Sequence, residues 1–558
     1  MRICVSYAQS YVRIALQNKV RAEKDIFLNN YVIWKERAIL KSILSGMVVA
    51  LLLANTFALA LGIQSAQSVP TTIVVPDDYT AIQEAINAAN FGDRICVRAG
   101  TYPEKLVVNK TVSLIGESRL TTAIDGGGVG DVVRIEAEDV RFSGFMVRSG
   151  FSAGICLYGA DRCVIDDSIV TSNLGFGVVF YFSTYNIIEN SEVSNNSWNG
   201  IDVGDTGSHH NTIRNNVVFQ NGGNYGVDAY AGSDYTIIED NTVYDNAWIG
   251  IAIGWSNYCV IRNNRLHNNT ASSVVLDTAS HCTVVNNTIS NSRHGGITLL
   301  GLGNYFNDIL NNTVRFGEAG IDLGASARYT TISGNVISRN NYGLRIAYNE
   351  GYPNYDNYVY HNDFLDNTVN ARNSEDRYTS FWDDGYPSGG NYWSDYVGVD
   401  EKSGPDQDLL GRDGIGDNFY IVDSGNVDHY PLMKPWSPTS PLVEATVDID
   451  PNSLSLKSKG KWITAYIELP KSYDVKDINI SMIMLNCTIP AELRPIVIGD
   501  YDNDGVPDLM VKFDRTAVIS YIISTKGRQT RFTQVKLTIT GGLKNGIHFE
   551  GSDTIKIL

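Results

Sequence analysis

The run Asp500 to Asp508 (DYDNDGVPD) carries the clearest chemistry in the chain. Carboxylates at Asp500, Asp502, Asp504 and Asp508 fall at loop positions one, three, five and nine. Gly505 gives the turn at six and the Val506 carbonyl stands at seven, a set of oxygens suited to calcium. Position twelve is Val511, so the bidentate glutamate of an EF-hand is missing, and the run predicts a structural calcium loop of the DxDxDGxxD kind. A looser acidic loop, Asp406 to Asp417, either holds a cation or serves packing.

A second set is spread through the middle of the chain. Asp202, Asp228 and Asp322 take equivalent places in short alternating segments, with Tyr158, Tyr181, Tyr230, Trp255 and Asp277 nearby. Aromatic faces stack on sugar rings, while carboxylates bond hydroxyls or perform acid–base work. The expected ligand-binding residues are therefore Tyr181, Asp202, Asp228, Tyr230, Trp255 and Asp277, with Asp202, Asp228 and Asp322 as the carboxylates available for catalysis. The plainer reading is a solvated strand face. Soft metal ligands are scarce: of eight His only His209 and His210 adjoin, and Met482, Met484 and Cys487 form the one short string. Seven cysteines without a CxxC pair imply neither a disulfide framework nor a zinc site.

These residues need a scaffold, and the spacing supplies one. A small residue opens each unit at Gly154, Gly177, Gly200, Gly226, Gly250, Ser273, Gly296, Gly320 and Gly343, at steps of 23 to 26 residues. Apolar residues then alternate, as in Ile201-Asp202-Val203 and Ile251-Ala252-Ile253, which is the period of a strand. Two further apolar columns, beginning at Ile165 and Val170, give three strands per coil. Asparagine columns, one through Asn216, Asn241, Asn264 and Asn287 and another through Asn173, Asn196, Asn221 and Asn246, suit αL turns and stacked amide ladders. Cys163, Cys259 and Cys282 share one column and read as buried thiols. The fold class that follows is all-β: a right-handed parallel β-helix of about 23 residues per coil, then a small antiparallel β-sandwich.

The ends of such a helix need covers. Thr80 to Ala89 predicts a capping helix with Thr80 as N-cap and Gln83 closing a capping box. The sequence from Val75 to about Pro435 resembles the NosD-like branch of the parallel β-helix proteins, within the carbohydrate-binding and sugar-hydrolase group. The resemblance rests on the opening AIQEAINAANFGDRICVRAGTYPEKLVVNKTVSLIGES and on GGNYWSDYVG (Gly389 to Gly398), DGIGDNFYIV (Asp413 to Val422) and VDHYPLMKP (Val427 to Pro435). It implies that the closing segment caps the last coil, and it brings copper as a possible cofactor in nitrous oxide reductase maturation. Polygalacturonase-like and pectin methylesterase-like catalytic sets are absent; SRHGG at Ser292 and GLRIAYN at Gly343 are faint echoes.

Residues 1–42 form a basic extension, and residues 43–68 contain the apolar run Ile43 to Ile63, read as a signal peptide or an uncleaved membrane anchor. The helix occupies 69–435, a Pro-rich joint 436–443 and the sandwich 444–558. The first 41 residues carry +5, so −22 falls on the remainder of a chain whose net charge is −17. Nucleic acid is excluded as a partner by that charge. The expected protein is secreted, periplasmic or on the cell surface, with a glycan or cell-envelope component as its partner. A non-catalytic binding face is the leading function; a polysaccharide hydrolase or lyase and a copper accessory protein are the alternatives.

Overall fold

A computed structural model describes residues 70–558, except 205–206, 348–350, 375–378, 424, 437–442, 458–459, 472, 487–488, 503, 527–533 and 545–547. The basic extension, the apolar segment, most of the joint and Cys487 lie outside the described residues. No described helix is long and apolar enough to cross a membrane.

Three parallel sheets wind through the repeat. The first has twelve strands from Leu106–Val108 to Val369–Asn373, the second thirteen from Thr72–Val75 to Tyr358–Tyr360, and the third thirteen from Gly100–Tyr102 to Tyr392–Trp393. The register is one residue type per column: Ile201, Val227, Ile251, Val274, Ile297, Ile321 and Leu344 stack in the first sheet and are fully buried. Each buried aliphatic side chain contributes about 1.5–3 kcal/mol, which the outward residues of the same strand are free not to supply. The small residue that opens each coil is required by close backbone approach, since a Cβ on Gly177 would lie 2.4 Å from the carbonyl oxygen of Gly200.

The asparagine columns divide two jobs that the sequence assigns to one residue. The αL positions are taken by the residues just before the ladder, such as Asn215, Asn263, Asn286 and Asn311. The ladder asparagines point inward and exchange amides: Asn264 Oδ1 accepts from the backbone N–H and Nδ2 of Asn241, both at 3.0 Å, and its own Nδ2 donates to Ile238 O and Asn287 Oδ1. Cys163, Cys259 and Cys282 are buried thiols in a third such column.

The front cover differs from expectation. The helix is Ile82–Ala88, its N-cap is Ala81, and neither Thr80 nor Gln83 caps it. Glu104 caps it instead, its carboxylate accepting from the N–H groups of Ile82 and Gln83 at 2.9 and 3.0 Å. A carboxylate meets two orphan donors with two separate charged oxygens, and charge-assisted bonds are the stronger ones. At the far end Trp382 and Trp393 close the core, and Asn391 adds the last rung to the ladder by accepting from Asn362. Asp428 beneath them accepts from Asn391 N, Trp393 Nε1 and Tyr430 N, and burial pushes its carboxyl up to about 7. A Cβ on Gly390 would fall 1.9 Å from Asp428 Oδ1, which accounts for the GGNYW run.

The C-terminal region forms a four-stranded antiparallel sheet (Thr446–Asp450, Trp462–Glu468, Asp508–Asp514, Val497–Gly499) facing a six-stranded one. Two short strands join the latter in parallel, and a helix, Arg515–Lys526, which the sequence pattern does not announce, packs Val518 and Ile522 into the core.

Candidate functional site

Successive strands of the first sheet place Val179, Asp202, Asp228, Ala252 and Val275 in one outward column. Asp202 and Asp228 are therefore neighbours on adjacent coils, about 4.8 Å apart along the stack. One side chain joins them. Asn199 donates its Nδ2 to Asp202 Oδ2 at 3.0 Å and to Asp228 Oδ1 at 3.2 Å, while its Oδ1 accepts the N–H of Tyr225 at 3.2 Å, which fixes the amide's orientation. Asp228 is only 3% exposed, and burial, together with the charge of Asp202, holds its carboxyl well above the usual carboxylate range.

The parallel outward column two residues on contains Tyr230, Gly254 and Asp277. The ring of Tyr230 lies over Gly254, where a Cβ would come 2.3 Å from its Cδ2. Trp255 stands exposed on the following turn with φ +52°, its N–H donating to Asp277 O. Asp322 lies four coils beyond Asp228 in the acid column and is held by Arg345, with Nη2 at 2.6 Å and Nε at 3.0 Å. The structure thus brings Asp202 and Asp228 together, sets Tyr230, Trp255 and Asp277 beside them, and assigns Asp322 to a separate ion pair.

On the other side of Asp202 the face hollows into a cavity of about 430 Å³ lined by Phe151, Leu174, Phe176, Val179, Tyr181 and Trp198. Phe176 and Trp198 meet edge to face at 5.1 Å. Phe151, Leu174, Phe176, Trp198 and the bridging Asn199 were not singled out by sequence reasoning. A signal for three of them exists: Phe151, Leu174 and Trp198 are large apolar residues exposed at the same turn of consecutive coils.

In the C-terminal region, carboxylate oxygens of Asp500, Asp502 and Asp508 lie within 4.8 Å of one another, and a second such group adds Glu468 to Asp502 and Asp504. Glu468, absent from the sequence motif, comes from the strand paired with the one that starts at Asp508. The loop is held by its own amides: Asp500 accepts from Asp504 and Gly505, Asp504 from Val506, and Asp508 from Tyr501. Burial, then the surrounding acids, raises the carboxyls of Glu468 and Asp508. The looser Asp406 to Asp417 loop spends Asp413 and Asp417 on backbone N–H groups of Ile415, Glu401 and Lys402.

The model of the family described as "Periplasmic copper-binding protein (NosD)" matches residues 238–398, and that of the "Right handed beta helix region" matches 130–269. The chain is a NosD-like right-handed β-helix protein. No curated protein matches its sequence. Among solved structures, similarity is found to the A-module of a mannuronan C-5 epimerase from Azotobacter vinelandii (17% identity, 54% of this chain and 92% of that one, TM-score 0.45). An alginate lyase from Paenibacillus sp. (17%, 46% and 98%, 0.37) and a family 28 exopolygalacturonase from Yersinia enterocolitica (14%, 48% and 75%, 0.36) are also similar. None of the three bears on what this chain binds. The copper of the NosD description finds no fitting donors: among the described residues both groups of three metal-capable side chains are carboxylates only, whereas copper prefers His, Cys or Met. His209 and His210 bond each other, Nδ1 to Nδ1 at 2.8 Å, without a third ligand grouped with them. Met482 and Met484 sit half-buried on the strand face opposite the buried Ile483 and Leu485.

Proposed function

We infer that this NosD-like protein is an exported glycan-binding protein whose binding face is the outer side of the first sheet, from the cavity at Phe176 to Asp277. One observation carries the reading: an aromatic-walled hollow adjoins, within one coil, a pair of carboxylates that a single amide holds in place. Rings pack on Phe176, Tyr181 and Trp198 while hydroxyls bond Asp202 and the edges of Tyr225 and Tyr230. Calcium in the Asp500–Asp508 loop, with Glu468 as an added carboxylate, stiffens the C-terminal sheets and takes no part in binding. Glycan-array screening of the intact chain, followed by affinity electrophoresis, tests the reading. Retardation by at least one polysaccharide, lost in Trp198→Ala, is expected; unretarded passage on every glycan would defeat it.

A second reading, a polysaccharide hydrolase, draws support from the shared amide, which holds Asp202 and Asp228 side by side on adjacent coils, with burial and the charge of Asp202 raising the carboxyl of Asp228. The burial of Asp228 stands against it, because a general acid must reach the glycosidic oxygen. Release of reducing ends that disappears in Asp202→Asn would favour the enzyme over the binding protein.

A further inference from the structure

The aromatic rims account for stacking but not for the charge of the groove floor. The seven strands of the first sheet from Ala153–Tyr158 to Gly295–Leu300 contain three charged residues, Asp202, Asp228 and Asp277, and all are acids. Guanidiniums at either end of this stretch are engaged elsewhere: Arg134 with Asp131 and Glu136, Arg345 with Asp322. Neither Asp228 nor Asp277 has an ion pair among the described residues. Burial and the adjacent Asp202 raise the Asp228 carboxyl against the hydrogen bond from Asn199, and no cation among the described residues offsets either effect.

Resting on the glycan-binding reading above, we propose that the groove selects a glycan bearing free amino groups, whose ammonium is received at the half-exposed Asp202, beside the buried Asp228, while the adjoining sugar packs against Phe176, Tyr181 and Trp198. The distances suit this arrangement, because Val179 in the cavity wall and Asp202 are register partners one coil apart. An ammonium donor to a carboxylate forms a charge-assisted bond about twice as strong as a neutral one. A uronate in the same place meets like charge on an already acidic floor, which works against it. Asp277, three coils beyond Asp202, extends the acidic track for a polymer rather than a single sugar.

The test titrates oligomers of glucosamine, of N-acetylglucosamine and of galacturonate, matched in length, into the intact chain at low and high salt. The amino oligomer is expected to bind about tenfold more tightly than its acetylated counterpart, the equivalent of one charge-assisted bond. That advantage shrinks as salt rises. Asp202→Asn brings the two affinities within about twofold of each other by removing the charge at constant shape. Asp277→Asn acts in the same direction with smaller amplitude and stands in if the first variant melts early, and Trp198→Ala weakens both ligands alike. Equal or tighter binding of the acetylated or uronate oligomer overturns the amino selectivity while leaving glycan binding intact. Absence of binding by all three overturns both.

Discussion

Removing one rung of the central amide ladder should cost more than any exposed change in the same coil. Asn264 is 1% exposed and makes four hydrogen bonds to three residues through its side chain. In Asn264→Ala the buried N–H of Asn241 loses its acceptor and the carbonyl of Ile238 loses a donor. Asn241 Nδ2 keeps Ile213 O, and Asn287 Oδ1 keeps the N–H of residue 264. One orphaned buried donor costs about 1–3 kcal/mol and each of the three further lost bonds about 0.5–1.5 kcal/mol, giving a loss of about 2.5–7.5 kcal/mol. Asn263→Ala is the control, since Asn263 is exposed with φ +57° and its replacement costs about 1–2 kcal/mol for the αL backbone alone. Urea unfolding gives the two differences, and hydrogen exchange should show lost protection in peptides around Asn241 and Asn287 before distant coils respond, as stacked repeats couple through neighbours. If Asn264→Ala destabilises no more than Asn263→Ala, the ladder does not hold the coils together as argued.

Other outcomes follow from the caps and the loop. Asp428 has a folded pKa near 7 against an ordinary value of 3.8, so the stability it contributes is complete below about pH 4 and is lost as pH rises through 7. That slope, up to about 4 kcal/mol, should flatten in Asp428→Asn when melting is followed from pH 4 to 8. Gly390→Ala should disrupt the same cap, because its Cβ falls on Asp428 Oδ1, and a melting temperature equal to wild type would contradict this. Calcium should raise the melting temperature of the intact chain and chelation should reverse the rise; Asp502→Asn and Glu468→Gln should each weaken calcium binding, seen by calorimetry, by about tenfold or more. A calorimetric trace without calcium binding would remove the loop's assigned role.

The helix was legible because its signal is repeated. A column such as Ile201, Val227, Ile251 and Val274 writes the same constraint in every coil, so spacing alone reveals both the strand and its partner. Features made once by tertiary contact left no such trace. Glu104 caps a helix that begins 22 residues earlier, and only the winding of the chain brings it there. The helix Arg515–Lys526 is rich in β-branched and aromatic residues, which are poor helix formers, and it is packing that selects Val518 and Ile522, four apart, for the core. At the site the outward aspartates were readable from strand alternation, but their unequal fates were not. Asn199 stands just before a strand and outside the ladders, and what makes it important is that Tyr225 turns its amide toward both acids. Asp322 shares the column of Asp228 but faces Arg345, a partner 23 residues on. In the Asn-Asn-Ser/Thr runs at Asn195, Asn286 and Asn311 the first asparagine is an exposed αL residue, and the inward ladder position belongs to the asparagine after each.

Glycan binding by this protein stands or falls on the hollow beside Asp202 receiving a sugar. A crystal structure of the intact chain with a bound oligosaccharide, chosen from those it retains in solution, tests it most directly. A sugar ring against Trp198 and Tyr181, with a polar group bonded to Asp202, is expected. Well-defined sugar elsewhere, with that hollow holding only water, would contradict it.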